Sequence, residues 1–266
     1  MPPAADLLLV FGAGLLTALA TGLGVAPFFV VATISDRWIV RLWGMATGVM
    51  LVMASFVAYE GVQEGGLGWV ALGFAAGIVL MRTADVLVKG PSVVAGDLPD
   101  VPRRTLFLVV GAMFVHSIPE GVAVGVAFAD LGLDADVAVG GIGLPTLAVT
   151  MTLAVALLNI PEGLVVAIPL VTRGVPRLQA VGWAVFTGLP QPVFAVVAYV
   201  FVTTARDLLP LGLGFAAGTL LYLILYEFIP AAREQGHSLS GGGRRELLSG
   251  SLVGALAVGA LLLLLG

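Results

Sequence analysis

Apolar runs of about twenty residues, each closed by charges or by clusters of Gly, Pro and Ser, divide the chain near 7–32, 40–59, 66–88, 104–128, 137–170, 178–204, 208–229 and 247–265. A hydrocarbon core about 30 Å thick asks for roughly 20 apolar residues per helix at a rise of about 1.5 Å each. The pattern therefore predicts eight transmembrane helices in an all-α membrane protein, with residues 1–266 forming one domain. The fifth run is longer than a crossing needs, and Gly140 to Pro145 predicts a loop or short pre-helix at its start.

Charge fixes an orientation for these spans. Of the 12 Lys and Arg residues, all but Arg206 fall after odd-numbered spans or before even-numbered ones: Arg37, Arg41, Arg82, Lys89, Arg103, Arg104, Arg173, Arg177, Arg233, Arg244 and Arg245. Short cytoplasmic loops collect such residues, so this face is expected inside the cell and both termini outside. Asp6, Glu64, Asp130, Asp134, Asp136 and Asp207 gather on the other face with Arg206. The first span lacks a preceding basic region and outruns a signal peptide, so it is expected to be retained.

Short segments recur. TGLGVAP (Thr21 to Pro27) in the first span is similar to TGLPQP (Thr187 to Pro192) in the sixth, and GFAAG occurs at Gly73 to Gly77 and at Gly214 to Gly218. Spans one to three and six to eight are expected to form an inverted pseudo-repeat around spans four and five, a transporter arrangement that places sites where the repeats meet. The small residues also permit close helix packing.

Composition sharpens the assignment. Hydrophobic residues are 59% of the 266 positions and charged residues 11%, against about 45–50% and 25% in soluble domains. Mean hydropathy is +1.11. The net charge of −4 and the lack of a basic face exclude a nucleic-acid binder. With Cys at zero, any metal must be held by His, carboxylate, amide or hydroxyl groups.

The chemistry lies in the polar residues inside the spans. The fourth contains HSIPEG (His116 to Gly121) and the fifth NIPEG (Asn159 to Gly163). Carboxylates at such depth are costly and face a bundle interior or a water path. His116 and Glu120 are four apart and Asn159 and Glu162 three apart, so each pair shares a helical face. Pro119 and Pro161 cannot donate to the carbonyls of Val115 and Leu157, which predicts kinked helices with freed carbonyls. Two carboxylates, an imidazole and neutral oxygen donors suit Zn²⁺ and related first-row divalent ions, and a dication would cancel both carboxylate charges. A buried hydrogen-bond network joining two kinked helices is the plainer reading of the same residues.

With these motifs the chain resembles the ZIP (Zrt/Irt-like) family of divalent metal transporters, in its prokaryotic branch, over all eight spans. The resemblance implies a ZIP-like bundle whose fourth-helix H-N/S-x-P-E-G and fifth-helix H/Q-N/D-x-P-E-G patterns form the transport site. It carries ligand or near-ligand positions onto His116, Ser117, Glu120, Asn159 and Glu162, and a sixth-helix acidic position onto Gln191. The seventh-helix pattern F-A-A-G-x-x-L-Y…E-x-I-P is similar to Phe215 to Pro230 and makes Glu227 an exit-side ligand. Leu158, Ser117 and Gln191 depart from the common residues, so one principal ion is expected, held by His116, Glu120 and Glu162, with Asn159, Gln191 and Ser117 as weaker or water-mediated ligands. The loop from Gly90 to Arg104 lacks the relatives' histidines.

Other polar residues have simpler expected roles. Arg82 and Asp85 would pair at the inner boundary, Glu60 and Glu64 would sit with the outer aspartates at the entrance, and Trp38, Trp43 and Trp69 would anchor the membrane interface. His237 with Glu234 could meet an emerging ion, though a loop histidine is more often just solvated. The functional expectation is alternating-access transport of Zn²⁺, or of Fe²⁺, Mn²⁺ or Cd²⁺, towards the cytoplasm, as substrate and with no cofactor. The expected partners are the metal ions and the lipid bilayer, with a homodimer left open. An intramembrane zinc-dependent hydrolase is the alternative, although H-E-x-x-H is missing. A proton-coupled carrier of organic solute is a third.

Overall fold

The structure is a computed structural model, and it describes residues 2–31, 34–89, 103–132, 137–139 and 141–265. Most of the loop from Gly90 to Arg104, and also Asp134 and Asp136, lie outside the described residues. Helices α1 (Ala4–Thr21), α2 (Asp36–Gly65), α3 (Leu67–Lys89), α4 (Arg103–Ala127) and α5 (Thr146–Val171) come first, with β1 (Val137–Val139) and β2 (Ile142–Leu144) ahead of α5. Then follow α6 (Arg177–Gly188), α7 (Pro190–Thr204), α8 (Leu209–Leu223), α9 (Ile229–Gln235) and α10 (Arg244–Leu265).

Among the described residues, six helical stretches are long and apolar enough to cross a membrane: Ala4–Phe29, Asp36–Gly65, Thr146–Val171, Arg177–Thr204, Arg206–Gln235 and Arg244–Leu265. Leu67–Thr83 and Met113–Ala127 are shorter apolar stretches. The protein is thus an all-α multi-pass membrane protein, apart from one small hairpin. That hairpin replaces the start of the expected fifth span. Val137 pairs with Leu144 and Val139 with Ile142 in antiparallel register. Gly141 turns the chain at φ 85°, a value that favours glycine. Pro145, extended at φ −61° and ψ 139°, then caps α5.

Three helical stretches change winding along their length. After α1 the chain tightens into a 3₁₀ segment over Gly22–Phe29, which includes Pro27. The sixth expected span breaks at Leu189, where Pro190 opens α7. Between α8 and α9 the chain widens into a π segment, Ile224–Phe228. By contrast α4 and α5 continue through Pro119 and Pro161.

Glycines set the packing. A Cβ on Gly73 would lie 2.0 Å from the Leu211 carbonyl oxygen, and one on Gly218 would lie 2.2 Å from that of Phe74. The two GFAAG copies therefore meet each other across the α3–α8 interface, which gives their recurrence a direct packing reason. Gly48 and Gly254 bring α2 and α10 together in the same way. A second set joins α1, α4, α5, α6 and α7: Gly163 abuts the Thr21 carbonyl, Gly125 the Ala195 backbone and Gly14 the Pro192 backbone. The bundle divides into α2, α3, α8 and α10 on one side and α1, α4, α5, α6 and α7 on the other, joined through α2–α5 and α4–α8 contacts. Helices α4 and α5 belong to the five-helix group and also make its contacts with α2 and α8.

Candidate metal centre

Two polar clusters meet inside the bundle. The deeper one is built from four helices, and Glu120 (α4), Asn159 (α5), Gln191 (α7) and Thr17 (α1) have no exposed surface, while Glu162 (α5) has 3%. Gln191 is the second residue of α7, so the break at Leu189 delivers its amide between α1, α4 and α5. Its Nε2 donates to Glu120 Oε2 at 2.6 Å and to Asn159 Oδ1 at 3.2 Å. Its Oε1 accepts from Thr17 Oγ1 at 2.7 Å and from Asn159 Nδ2 at 3.0 Å. Asn159 Nδ2 also donates to the Thr17 main-chain carbonyl at 2.6 Å.

The carboxyls of Glu120 and Glu162 lie within hydrogen-bonding reach of each other. Glu120 Oε1 is buried and has no hydrogen-bond donor among the described residues. Two buried carboxylates so placed repel unless a proton or a cation stands between them, and an unsatisfied carboxylate oxygen in low dielectric is costly. The donor set of carboxylate, imidazole and amide groups fits a divalent first-row ion carried as substrate.

The second cluster lies towards the expected cytoplasmic end. His116 Nε2 is 3.4 Å from Asp85 Oδ1 and 3.5 Å from Glu227 Oε1. One ligand atom from each of Asp85, His116 and Glu227 lies within 4.8 Å of the other two, close enough to hold one ion. Glu227 belongs to the π segment, whose extra residue per turn changes which side chains face inward. The Tyr222 hydroxyl donates to Asp85 Oδ2 at 2.5 Å, and its ring stacks on Tyr226 with centroids 4.6 Å apart. The clusters are contiguous, since His116 interacts electrostatically with Glu120 and Glu227 with Glu162.

Relatives by sequence carry one kind of name, and several span the same length. The chain is 32% identical over 283 residues to the zinc transporter ZupT of Corynebacterium efficiens, covering 98% of each. It is 32% identical over 260 residues to the zinc transporter GufA of Myxococcus xanthus, covering 91% of this chain and 95% of that one. The chain belongs to the ZIP family of metal transporters. An Arabidopsis thaliana protein named for zinc transport is 37% identical over 216 residues, 81% of this chain, which spans only 33% of that plant protein. No family model matches the chain. The relatives are named as transporters, and the hydrolase alternative finds no support among them.

Within this ZIP protein, the residues singled out from sequence divide between the two clusters, with Ser117 and His237 outside both. Glu120, Glu162, Asn159 and Gln191 come together, while His116 directs Nε2 to Asp85 and Glu227. Ser117 donates its hydroxyl to the Met113 carbonyl of its own helix at 3.2 Å. His237 is exposed, with Nδ1 2.8 Å from the Glu234 carbonyl. Trp43, expected at the interface, is instead 8% exposed and packs on Phe228 with ring centroids 5.0 Å apart. Trp38 and Trp69 are exposed. At the outer end Glu60 senses the charges of Glu64 and Asp130, but Arg206 pairs with Asp130 at 2.8 Å and offsets part of that field.

Asp85, Tyr222 and Thr17 escaped the sequence reading. Asp85 stands three residues after Arg82, which suggests a boundary pair; it is also only 8% exposed and faces the histidine of the next helix. The usable signal was the aspartate's position inside an apolar helix. No comparable signal marked Thr17.

Proposed function

We propose that this ZIP protein carries one divalent cation at a time towards the cytoplasm, with Zn²⁺ the leading substrate and Fe²⁺, Mn²⁺ and Cd²⁺ the next candidates. The observation that carries this reading is the apposition of Glu120 and Glu162 with a buried Glu120 Oε1 that has no donor among the described residues. Both carboxylates serve as midplane ligands, and a dication satisfies the two charges together. His116 links this station to the exit-side set of Asp85 and Glu227, so an ion moves from one set of ligands to the next. The zinc-transporter names of the relatives support zinc as the first substrate to test.

The chain crosses the membrane eight times, with α3 and α4 as the two spans that the shorter apolar stretches leave incomplete, and both termini face outside. The spans one to three and six to eight form the inverted repeat, with the change of winding after Thr21 and the break at Leu189 falling in the two similar TGL segments. Alternating access moves the five-helix group carrying the deep cluster against α2, α3, α8 and α10. The ligands must be deprotonated to bind metal, so acid lowers uptake.

The test is Zn²⁺ and Cd²⁺ uptake into proteoliposomes by the wild type, Glu120→Ala and Glu162→Ala, with folding checked by size-exclusion profile. Loss of uptake in both well-folded variants supports the site. Unchanged uptake moves it elsewhere, and absence of flux in the wild type favours the organic-solute carrier.

A further inference from the structure

The Gln191 amide has no hydrogen-bonding capacity left over. An amide offers two N–H donors and two oxygen lone pairs. Glu120 Oε2 and Asn159 Oδ1 take the donors, and Asn159 Nδ2 and the Thr17 hydroxyl, whose single proton also faces the Gly14 carbonyl at 2.7 Å, fill the lone pairs. The orientation follows from the main chain. The Thr17 carbonyl can only accept, so the Asn159 atom facing it at 2.6 Å is the NH₂ group. Asn159 then turns its oxygen to Gln191, and Gln191 must present nitrogen to both Asn159 Oδ1 and Glu120. Reversing the Gln191 amide would set oxygen against Glu120 Oε2 and Asn159 Oδ1, and nitrogen against Asn159 Nδ2. Backbone packing holds the residue still, because a Cβ on Gly14 would lie 3.1 Å from the Gln191 carbonyl carbon and one on Gly121 2.5 Å from its oxygen.

We infer that Gln191 is a positioning residue and not a metal ligand: oriented by Thr17 and Asn159, it occupies Glu120 Oε2, leaves Glu120 Oε1 as a one-oxygen ligand, and thereby favours Zn²⁺ over Mn²⁺. The inference rests on the transport reading above. Zn²⁺ is content with about four ligands, whereas an ion that prefers six oxygens gains from a carboxylate that can chelate through both. Chelation by Glu120 competes with its bond from Gln191, because an Oε2 that already accepts an N–H donates less electron density to a metal and is held in the orientation of that bond. Thr17, which no motif marks, is therefore a selectivity residue acting through an amide.

The test compares Mn²⁺ and Zn²⁺ uptake efficiency in proteoliposomes for the wild type, Gln191→Leu, Thr17→Val and Thr17→Ser, with Glu120→Ala as the inactive control. Loss of one hydrogen bond to a charged group is worth about tenfold, so Gln191→Leu is expected to raise the Mn²⁺/Zn²⁺ ratio about tenfold. Thr17→Val, nearly the same shape without the hydroxyl, shifts the ratio the same way by a few-fold, and Thr17→Ser restores the wild-type ratio. A KM raised equally for both ions in Gln191→Leu would make Gln191 a ligand and overturn the inference. Equal ratios in Thr17→Val and Thr17→Ser would also overturn it, and this pair decides alone if Gln191→Leu does not fold. Wild-type ratios in every variant, with Glu120→Ala inactive, sink this inference and leave the transport reading standing. No uptake by the wild type removes both.

Discussion

The deep and exit-side clusters use similar residue types under opposite conditions. In the deep one, Glu120, Asn159 and Gln191 have no exposed surface, and an amide network pins one carboxylate oxygen. In the exit-side one, His116 stands between two carboxylates at 3.4 and 3.5 Å, and the Glu227 side chain is 22% exposed. A sealed site with fixed donors is pre-organised and discriminates well, because any ion of the wrong coordination leaves buried groups unpaired. A site open to water exchanges its ligands readily, since water can replace each departing oxygen. On the proposed reading, selection and release are divided between neighbouring stations that share His116.

The division can be broken most severely at the deep station. Glu162→Gln keeps the shape of the side chain but removes a charge that a dication needs, and uptake should fall by about a hundredfold or more, read as initial rate in proteoliposomes. Gly121→Ala tests the same station through packing, since its Cβ would lie 2.8 Å from the Gln191 Cα and must part α4 from α7. Uptake should fall by about tenfold or more, and exchange protection near Gln191, measured by hydrogen–deuterium exchange, should fall with it. A Gly121→Ala protein with wild-type transport would show that the amide lock is dispensable. At the exit-side station, Asp85→Asn should lower the maximal rate by about tenfold while leaving the KM for external Zn²⁺ near that of the wild type. An equal rise in KM would instead join the two clusters into one binding unit.

The contrast also explains what could be read from the sequence. Both I-P-E-G motifs were visible because a carboxylate beside proline in an apolar helix stands out at once. The membrane class was equally plain from the apolar runs. Less visible were features that depend on how helices meet. His116 was grouped with Glu120 because four residues put them on one face, yet its Nε2 reaches the neighbours on α3 and in the π segment. A π turn shifts register by tertiary packing and leaves no composition signature, so the inward face of Glu227 had to come from the resemblance. The GFAAG recurrence showed in the sequence, but that the two copies pack on each other across α3 and α8 did not. The hairpin before α5 hid inside an apolar run because three-residue strands offer too short a period to register.

Tyr222→Phe gives the smallest effect and the finest test of the division. The hydroxyl donates to Asp85 Oδ2 at 2.5 Å while Asp85 Oδ1 faces His116, so the tyrosine orients an exit-side carboxylate from behind. Phenylalanine keeps the stack on Tyr226 and the packing of α8 on α3, and removes only this bond. Outer-shell partners of this kind are worth about tenfold or more at fixed metal sites, and less where the ion must leave. A fall of about two- to fivefold in maximal rate is therefore expected, with the Mn²⁺/Zn²⁺ ratio unchanged, because selection lies at the other station. A shifted ratio in Tyr222→Phe would mean that the exit-side carboxylate also selects, and the separation of choosing from releasing would fail.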